Sequence, residues 1–438
     1  MTFAAYSNYR ESDIEWVGTL PSGWQQQPFF AAVRERREKN VGLKEDNLLS
    51  LSYGSIVRKD MTANDGLLPE SFETYQIVRP SDIVFRFTDL QNDKRSLRSA
   101  LVGERGIITS AYLAVTPLHH DPRYFAYLMR SYDSQKVFYS MGGGLRQSMK
   151  FDDVKHLAVL TPPVQDQRRI AEFLDAHTAK IDVLIEKQEQ LIDTLAERRQ
   201  AVISHAVTNG LDPNAPMKES GIEWLGLVPG GWVVKTLRQV TNVLTGFPFK
   251  SDGYSSDESD VPLLRGVNVN PSKISWNEVV YWPKDKESGL AEYRLQEDDL
   301  VLGLDRPIVS SGTRVARVGP ADLPALLLQR VARIRPTKDA NVRFLEYLLS
   351  GPEFRDYLAP IFTGVSVPHM SPDQLNNFRI AMPDAVEQGE IVVHLDRETA
   401  QIDKLSAKAR EMIDILKERR QALISAAVTG KIDVRGLS

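Results

Sequence analysis

The sequence predicts an α+β protein in which two mixed α/β globular regions alternate with two long helices. The helices are expected to pair as an antiparallel coiled coil, the whole forming a pseudo-two-fold internal repeat. Three observations predict this. Residues 197–212 (ERRQAVISHAVTNGLD) return at 418–433 (ERRQALISAAVTGKID), a shift of 221 residues with 11 of 16 positions identical. Each of these endings closes a helical pattern of more than forty residues, at 162–212 and 383–433, whereas globular helices usually run roughly 8–20. The opening 12–24 (SDIEWVGTLPSGW) also returns, at 220–232 (SGIEWLGLVPGGW). A single duplication of units this long argues for a pseudo-symmetric particle rather than a solenoid. The boundaries that follow are a first globular region at 1–160, a helical spacer at 161–212, a second globular region at 213–382 and a C-terminal helical spacer at 383–438.

In the first region, residues 82–88 (DIVFRFT) and 107–117 (IITSAYLAVTP) are rich in β-branched and aromatic residues and predict strands. Residues 122–138 predict a helix that places Phe125, Leu128 and Met129 on one face. A glycine cluster (142–144) follows, and residues 157–160 predict a last strand leading into Pro162. The first long helix starts after that proline, which a first helical turn tolerates, and stops near Gly210. Its apolar seam is read as Ile170, Leu174, His177, Ile181, Leu184, Gln188, Leu191, Leu195, Arg198 and Val202. Steps alternate between four and three, the coiled-coil period of 3.5. The second region echoes the first, with strands at 299–304 and 329–336, a helix at 341–358 and residues 378–382 leading into Pro383. The second long helix repeats the seam as Ile391, Leu395, Glu398, Ile402, Leu405, Ala409, Met412, Leu416, Arg419 and Leu423, and stops near Gly430. Two seams in one chain bury each other most simply. Residues 89–98 (DLQNDKRSLR) and 306–317 (RPIVSSGTRVAR) are unlike, so the frame is duplicated and the insertions differ.

Composition limits the function. The chain has 438 residues, 42% of them hydrophobic, and no cysteine, which excludes disulfides and thiolate metal sites. The first thirty residues hold Arg10, Glu11, Asp13 and Glu15, and no stretch approaches 18 apolar residues, so a soluble, cytoplasmic protein without a membrane partner is expected. The net charge of −4 does not mark a nucleic-acid binder. Residues 1–160 hold 20 Lys/Arg against 19 Asp/Glu, whereas 161–212 hold 6 against 9, so the acid excess sits mainly on the first helix. Any DNA-binding face must come from local segregation of charge.

Catalytic motifs are missing. Residues 246–251 (GFPFKS) lack phosphate-loop spacing, and the glycines at 142–144 form no dinucleotide fingerprint. No zinc spacing occurs among the seven histidines, and no nucleophile elbow is present. An Asn-Pro-Pro-aromatic tetrad of an amino-methyltransferase is absent; Thr161, Pro162 and Pro163 only open a helix. No metal or cofactor is expected on the chain. Residues suited to binding remain, because Arg and Lys contact phosphates and guanine edges while Asn and Gln pair with adenine edges. Asn92, Lys94, Arg95 and Arg98 follow a predicted strand, and Arg146, Gln147 and Ser148 follow the glycines. In the second half Arg306, Ser311, Arg314, Gln329 and Arg330 form a similar set, with Ser366 and His369 in the loop matching residues 146–148. The plain alternative for each is a solvated polar loop.

The pattern resembles the DNA-specificity subunit of type I restriction–modification enzymes. The resemblance rests on Ile14–Trp16 and Ile222–Trp224, on the helix entries Pro162/Gln167 and Pro383/Gln388, and on the paired ERRQA endings. It implies that the globular regions are target-recognition domains, each reading one half of a split double-stranded DNA site. The helices would separate them and carry two methyltransferase subunits, with translocase–nuclease subunits joining. It also implies a chain with no active site of its own, S-adenosylmethionine, ATP and Mg being held by the partners. A protein-binding coiled-coil adaptor, or the recognition subunit of a related system that cuts beside its site, would share the frame.

Overall fold

Apolar residues at alternate positions of short strands, and at every third or fourth position of helices, sort this chain into the same architecture twice. The computed structural model describes all residues except 1–2, 61–68, 70, 89–96, 142–147, 223–224, 363–367 and 437–438. It divides into unit 1, Met1–Glu189 with Arg410–Ser438, and unit 2, Gln190–Ala409. Each unit therefore contains one globular region and half of each long helix.

In unit 1 a four-stranded antiparallel sheet runs in the order Val33–Glu35, Leu113–Pro117, Ile83–Phe85, Ser99–Leu101. Ile83, Phe85 and Val115 face a core that includes Phe125, Leu128 and Met129 of the helix Pro122–Ser134. Val84, Ala100 and Ala114 face the other way, onto Leu49 and Leu51. Both faces are covered, which is why these strands read as continuous apolar runs. Unit 2 repeats the sheet as Thr241–Thr245, Val331–Pro336, Leu300–Gly303, Val315–Arg317. Its helix Val342–Ser350 covers Leu300, Leu302 and Ile334. A second strand pair leads into each long helix: Gln25–Pro28 with Ala158–Thr161, and Val233–Thr236 with Arg379–Met382.

Three elements are broken where the sequence predicted continuity, the helix expected over 122–138 ending at Ser134 before a separate 3-10 turn at Val137–Ser140. The strand expected over 107–117 is split into Gly106–Ile108 and Leu113–Pro117 by a turn in which Tyr112 N donates to Thr109 O. The helix expected over 341–358 is two, Val342–Ser350 and Pro352–Phe362, divided at Gly351. Gly246 is a packing glycine: a Cβ there would lie 2.2 Å from Leu328 O.

The long helices span Val164–Asn209 and Ala385–Val428. Each is followed by a glycine in the left-handed region, Gly210 (φ 73°) and Gly430 (φ 74°), the usual helix stop. They pack antiparallel in each unit. Arg420 lies 3.0 Å from Asp182 in unit 1, and Arg199 lies 3.4 Å from Asp403 in unit 2. These are one contact seen twice, since 182 and 403, like 199 and 420, differ by the 221-residue shift. The seam differs from the predicted one at alternate positions. Leu184, Leu191, Leu405 and Met412 are 43–51% exposed, whereas Ile413 is buried at 7% and Ile185 and Ile192 are partly covered. The buried track is 181, 185, 188, 192, 195 and its repeat 402, 406, 409, 413, 416, still a 3.5 period. Adjacent apolar pairs such as Leu184–Ile185 and Met412–Ile413 satisfy either phase, so spacing alone could not choose.

The two helix entries are locked alike. Gln167 accepts from Asp121 N (3.0 Å) and donates to Pro162 O (2.8 Å), while Gln388 accepts from Asn341 N (2.7 Å) and donates to Pro383 O (3.0 Å). Both amides are buried, so the proline–glutamine spacing serves structure. Asp121 and Asn341 in turn cap the helices that follow them. Trp232 Nε1 donates to Glu387 Oε2 at 3.0 Å. In unit 1 the shorter Asp166 stands at the position of Glu387, and the buried Trp24 Nε1 has no partner.

Candidate nucleic-acid interface

In unit 2 four chain segments meet beyond the end of the strand Leu300–Gly303. Backbone bonds hold them together: Leu304 N to Arg330 O (2.9 Å), Met370 N to Leu304 O (2.9 Å), Arg306 N to Pro368 O (2.7 Å) and Arg314 N to Pro307 O (2.7 Å). At the centre, the Asp305 carboxylate accepts from Arg330 Nη1 at 2.7 Å and pairs with His369 Nδ1 at 2.6 Å. Burial alone would raise the Asp305 carboxyl, but the bonds from Arg330 and His369 outweigh it and hold it below the usual carboxylate range. Arg306 (φ 45°) and Arg330 (φ 66°) both adopt the left-handed backbone that non-glycine residues seldom use. Both side chains are exposed, as are Ser311 in the Ile308–Val309/Gly312–Thr313 hairpin, Gln329 and His369. Strain at an exposed cationic surface is a feature of functional sites.

The structure thus brings Arg306, Gln329, Arg330 and His369 together around Asp305, a residue not singled out from the sequence. Its signal was present only as an acid between a strand and an arginine, with its His369 partner 64 residues away. Arg314 has a different task from the one expected. Its Nε donates to Val269 O and its Nη1 to Asp305 O, both at 2.9 Å. The guanidinium is half-buried, and burial pulls its pKa below the usual arginine value. It holds the loops that carry the exposed side chains.

Arg98 is likewise corrected. It is fully buried, donating from Nη1 to Thr88 O (2.9 Å) and from Nε to Tyr139 OH (3.3 Å), while its backbone N–H reaches Asp133 Oδ2 at 2.6 Å. A guanidinium enclosed in this way has no surface to offer a duplex. Arg98 and Arg314 occupy the same place in the duplicated frame. Arg86 N donates to Arg98 O as Gly303 N does to Arg314 O. Each arginine then bonds the carbonyl of the residue at the base of its insertion, Thr88 or Asp305. The insertions that looked unrelated therefore leave the frame at one point, each closed by an arginine. Ser148 is exposed beside Met149, whose N–H bonds Phe87 O as Met370 does Leu304 O. Asn92, Lys94, Arg95, Arg146, Gln147 and Ser366 lie outside the described residues.

Among the described residues, no group of three or more His, Asp or Glu side chains could hold a metal ion. The His120 ring nitrogens are taken up by the amides of Gln27 (2.7 Å) and Gln167 (3.0 Å). No described helix is long and apolar enough to cross a membrane.

Residues 107–193 match the model of the type I restriction modification DNA specificity domain. The match covers part of the duplicated frame, including the helix Pro122–Ser134, Gln167 and Asp175, and leaves out the insertion at 89–98. The chain is 26% identical over 367 residues to the MjaVIII type I restriction enzyme specificity subunit of Methanocaldococcus jannaschii, covering 83% of this chain and 81% of that one. It is 32% identical over 218 residues to the EcoBI specificity subunit of Escherichia coli, covering 49% and 42%. It is 29% identical over 244 residues to the EcoAI specificity subunit of Escherichia coli, covering 56% and 41%, so each of these two matches spans less than half of the relative. A solved chain concerned with complex assembly and conformational transition of the type I R-M system superposes with a TM-score of 0.70 at 17% identity, covering 93% of this chain and 98% of that one. The HsdS subunit from Thermoanaerobacter tengcongensis does so with a TM-score of 0.50 at 19% identity, covering 94% and 98%. These likenesses define the class, a specificity-subunit fold. Residues 107–193 are similar to the type I restriction modification DNA specificity domain, and 83% of the chain is similar to a type I specificity subunit.

Proposed function

We propose that this chain is the DNA-recognition subunit of a type I restriction–modification complex and reads a bipartite duplex site, one half with each globular region. The observation that carries the reading is the duplicated sheet frame, whose two insertions start at one equivalent point, Thr88 and Asp305, but are unlike in sequence. One frame with two unlike surfaces is what a protein needs to read two unlike half-sites. In unit 2 the reading surface is Arg306, Ser311, Gln329, Arg330 and His369, held by Asp305 and Arg314. In unit 1 it is Asn92, Lys94, Arg95, Arg146, Gln147 and Ser148. Phosphate contacts position such a protein and a few side chains at base edges specify.

The long helices are the seat of two methyltransferase subunits, with translocase–nuclease subunits joining them. The chain itself is non-catalytic: S-adenosylmethionine, ATP and Mg belong to the partners, and the complex works in the cytoplasm. With a net charge of −4, much of the phosphate grip comes from the methyltransferases. The test is binding to duplex libraries with and without those partners across a salt series. A sequence-specific, salt-sensitive complex that needs the partners is expected; binding of proteins only, with no DNA selectivity in their presence, would leave the adaptor reading.

A further inference from the structure

We propose that unit 1 holds a pocket for a phosphate-class oxyanion, walled by the helix Pro122–Ser134, the strand Ser99–Leu101, the Gly54 turn and the unit's own halves of the two long helices. The inference is independent of the DNA-reading surface. The cavity has a volume of about 310 Å³, at the lower end of small-ligand sites, which run about 300–1,000 Å³. Three guanidiniums line it, Arg123, Arg130 and Arg420, against one carboxylate, Asp175.

That carboxylate is already engaged, 3.0 Å from Arg123 Nη1 and 2.8 Å from the Tyr127 hydroxyl. The other two arginines are not fully engaged. Arg130 Nη2 donates to Gly54 O and, at 3.3 Å, to Ser99 O, but its buried Nε has no partner. Arg420 Nε lies 3.0 Å from Asp182 Oδ1 without the alignment of a hydrogen bond. The buried Ser99 hydroxyl is also unpartnered. Burial, and then the charge of Arg420, pull the Arg130 pKa down, so two cations face one cavity with donors unspent. Leaving buried donors unpaired is costly, and charge-assisted bonds to an oxyanion are the strong way to satisfy them. Ile56, Leu101 and Ile424 complete the wall, leaving apolar room for the body of a phosphomonoester.

The duplication supplies a control. Arg343, Tyr347, Asp396 and Arg199 of unit 2 stand at the frame positions of Arg123, Tyr127, Asp175 and Arg420. Ser350 stands where Arg130 does, and its hydroxyl only bonds back to Glu346 O at 2.7 Å. The frame therefore folds without an arginine there, and Arg130 answers to something that the frame does not require.

The test is calorimetric titration of the full-length chain with inorganic phosphate, and separately with adenosine monophosphate, against chloride at equal ionic strength. Saturable binding is expected for the wild type. R130Q should weaken it by about tenfold or more, and R199Q, in unit 2, should not change it. Should R130Q fail to fold, S99A, which keeps every bond of Arg130, should still weaken phosphate binding by about threefold or more. A short target-free duplex that competes with phosphate identifies the anion as a DNA backbone phosphate. One that does not compete identifies a free phosphate or phosphomonoester, and the pocket stands in either case. No saturable phosphate binding by the wild type, or wild-type affinity in both R130Q and S99A, overturns the proposal.

Discussion

Arg314→Ala and Arg306→Ala should fail in different ways. Arg314 bonds two carbonyls from a half-buried site, so its removal should cost about 1–3 kcal/mol of stability in urea unfolding by leaving acceptors unpaired. Arg306 and Arg330 are exposed; Arg306→Ala should stay within about 0.5 kcal/mol of wild type, whereas Arg330→Ala also removes a partner of Asp305. Each should instead lose about 1–3 kcal/mol at one base pair of one half-site if it reads a base, or weaken all sites with a smaller salt slope if it holds a phosphate. Equal destabilisation by Arg306→Ala and Arg314→Ala would refute this division of labour. Asp305 adds a pH dependence. Its folded pKa is depressed, so its contribution is present above the unfolded value of about 3.9 and is lost as pH falls through the lower folded value. Asp305→Asn should therefore destabilise at neutral pH, with the difference from wild type shrinking as the medium is acidified into that range. A difference that grows instead contradicts the pairing. The sequence marked Arg98 and Arg314 as site residues because both are cations in polar runs. A guanidinium that faces backbone carbonyls and one that faces solvent have the same letter, so only geometry could separate them.

The long helices were legible because their signal is redundant: period, proline entry, glycine exit and duplication agree. Both are present, with ends within a few residues of the pattern and antiparallel packing marked by Asp182–Arg420 and Arg199–Asp403. The exact seam was not legible, since runs such as Leu184–Ile185 serve two phases. Ile413→Ala, at 7% exposure, should cost about 2–4 kcal/mol, as truncation of a buried aliphatic side chain does. Leu184→Ala, at 47% exposure, should cost less than about 1 kcal/mol. Equal costs in denaturant titrations would restore the originally expected seam. The short strands were harder to bound, because a turn such as 109–112 carries no proline or glycine and Tyr112 is as strand-like as its neighbours.

For the whole molecule, the duplication was the most informative feature of the sequence, and it predicted the echoed strands and the repeated helix entry, whereas the shared closing role of Arg98 and Arg314 appeared only in the structure. It could not predict which side chains of 306–317 face solvent, because that is set by side-chain placement rather than pattern. The purified chain alone should turn over neither S-adenosylmethionine nor ATP and should not cut DNA; robust methyl transfer by the isolated chain would contradict the non-catalytic role. The central claim is that the two globular regions specify half-sites independently. Single-molecule methylation mapping of host DNA tests it most directly, comparing the wild-type chain with one whose residues 213–382 come from another specificity subunit. A methylated bipartite motif in which one half changes and the other stays is the predicted result. A motif altered in both halves, from a chimera that folds and supports methylation, would contradict it.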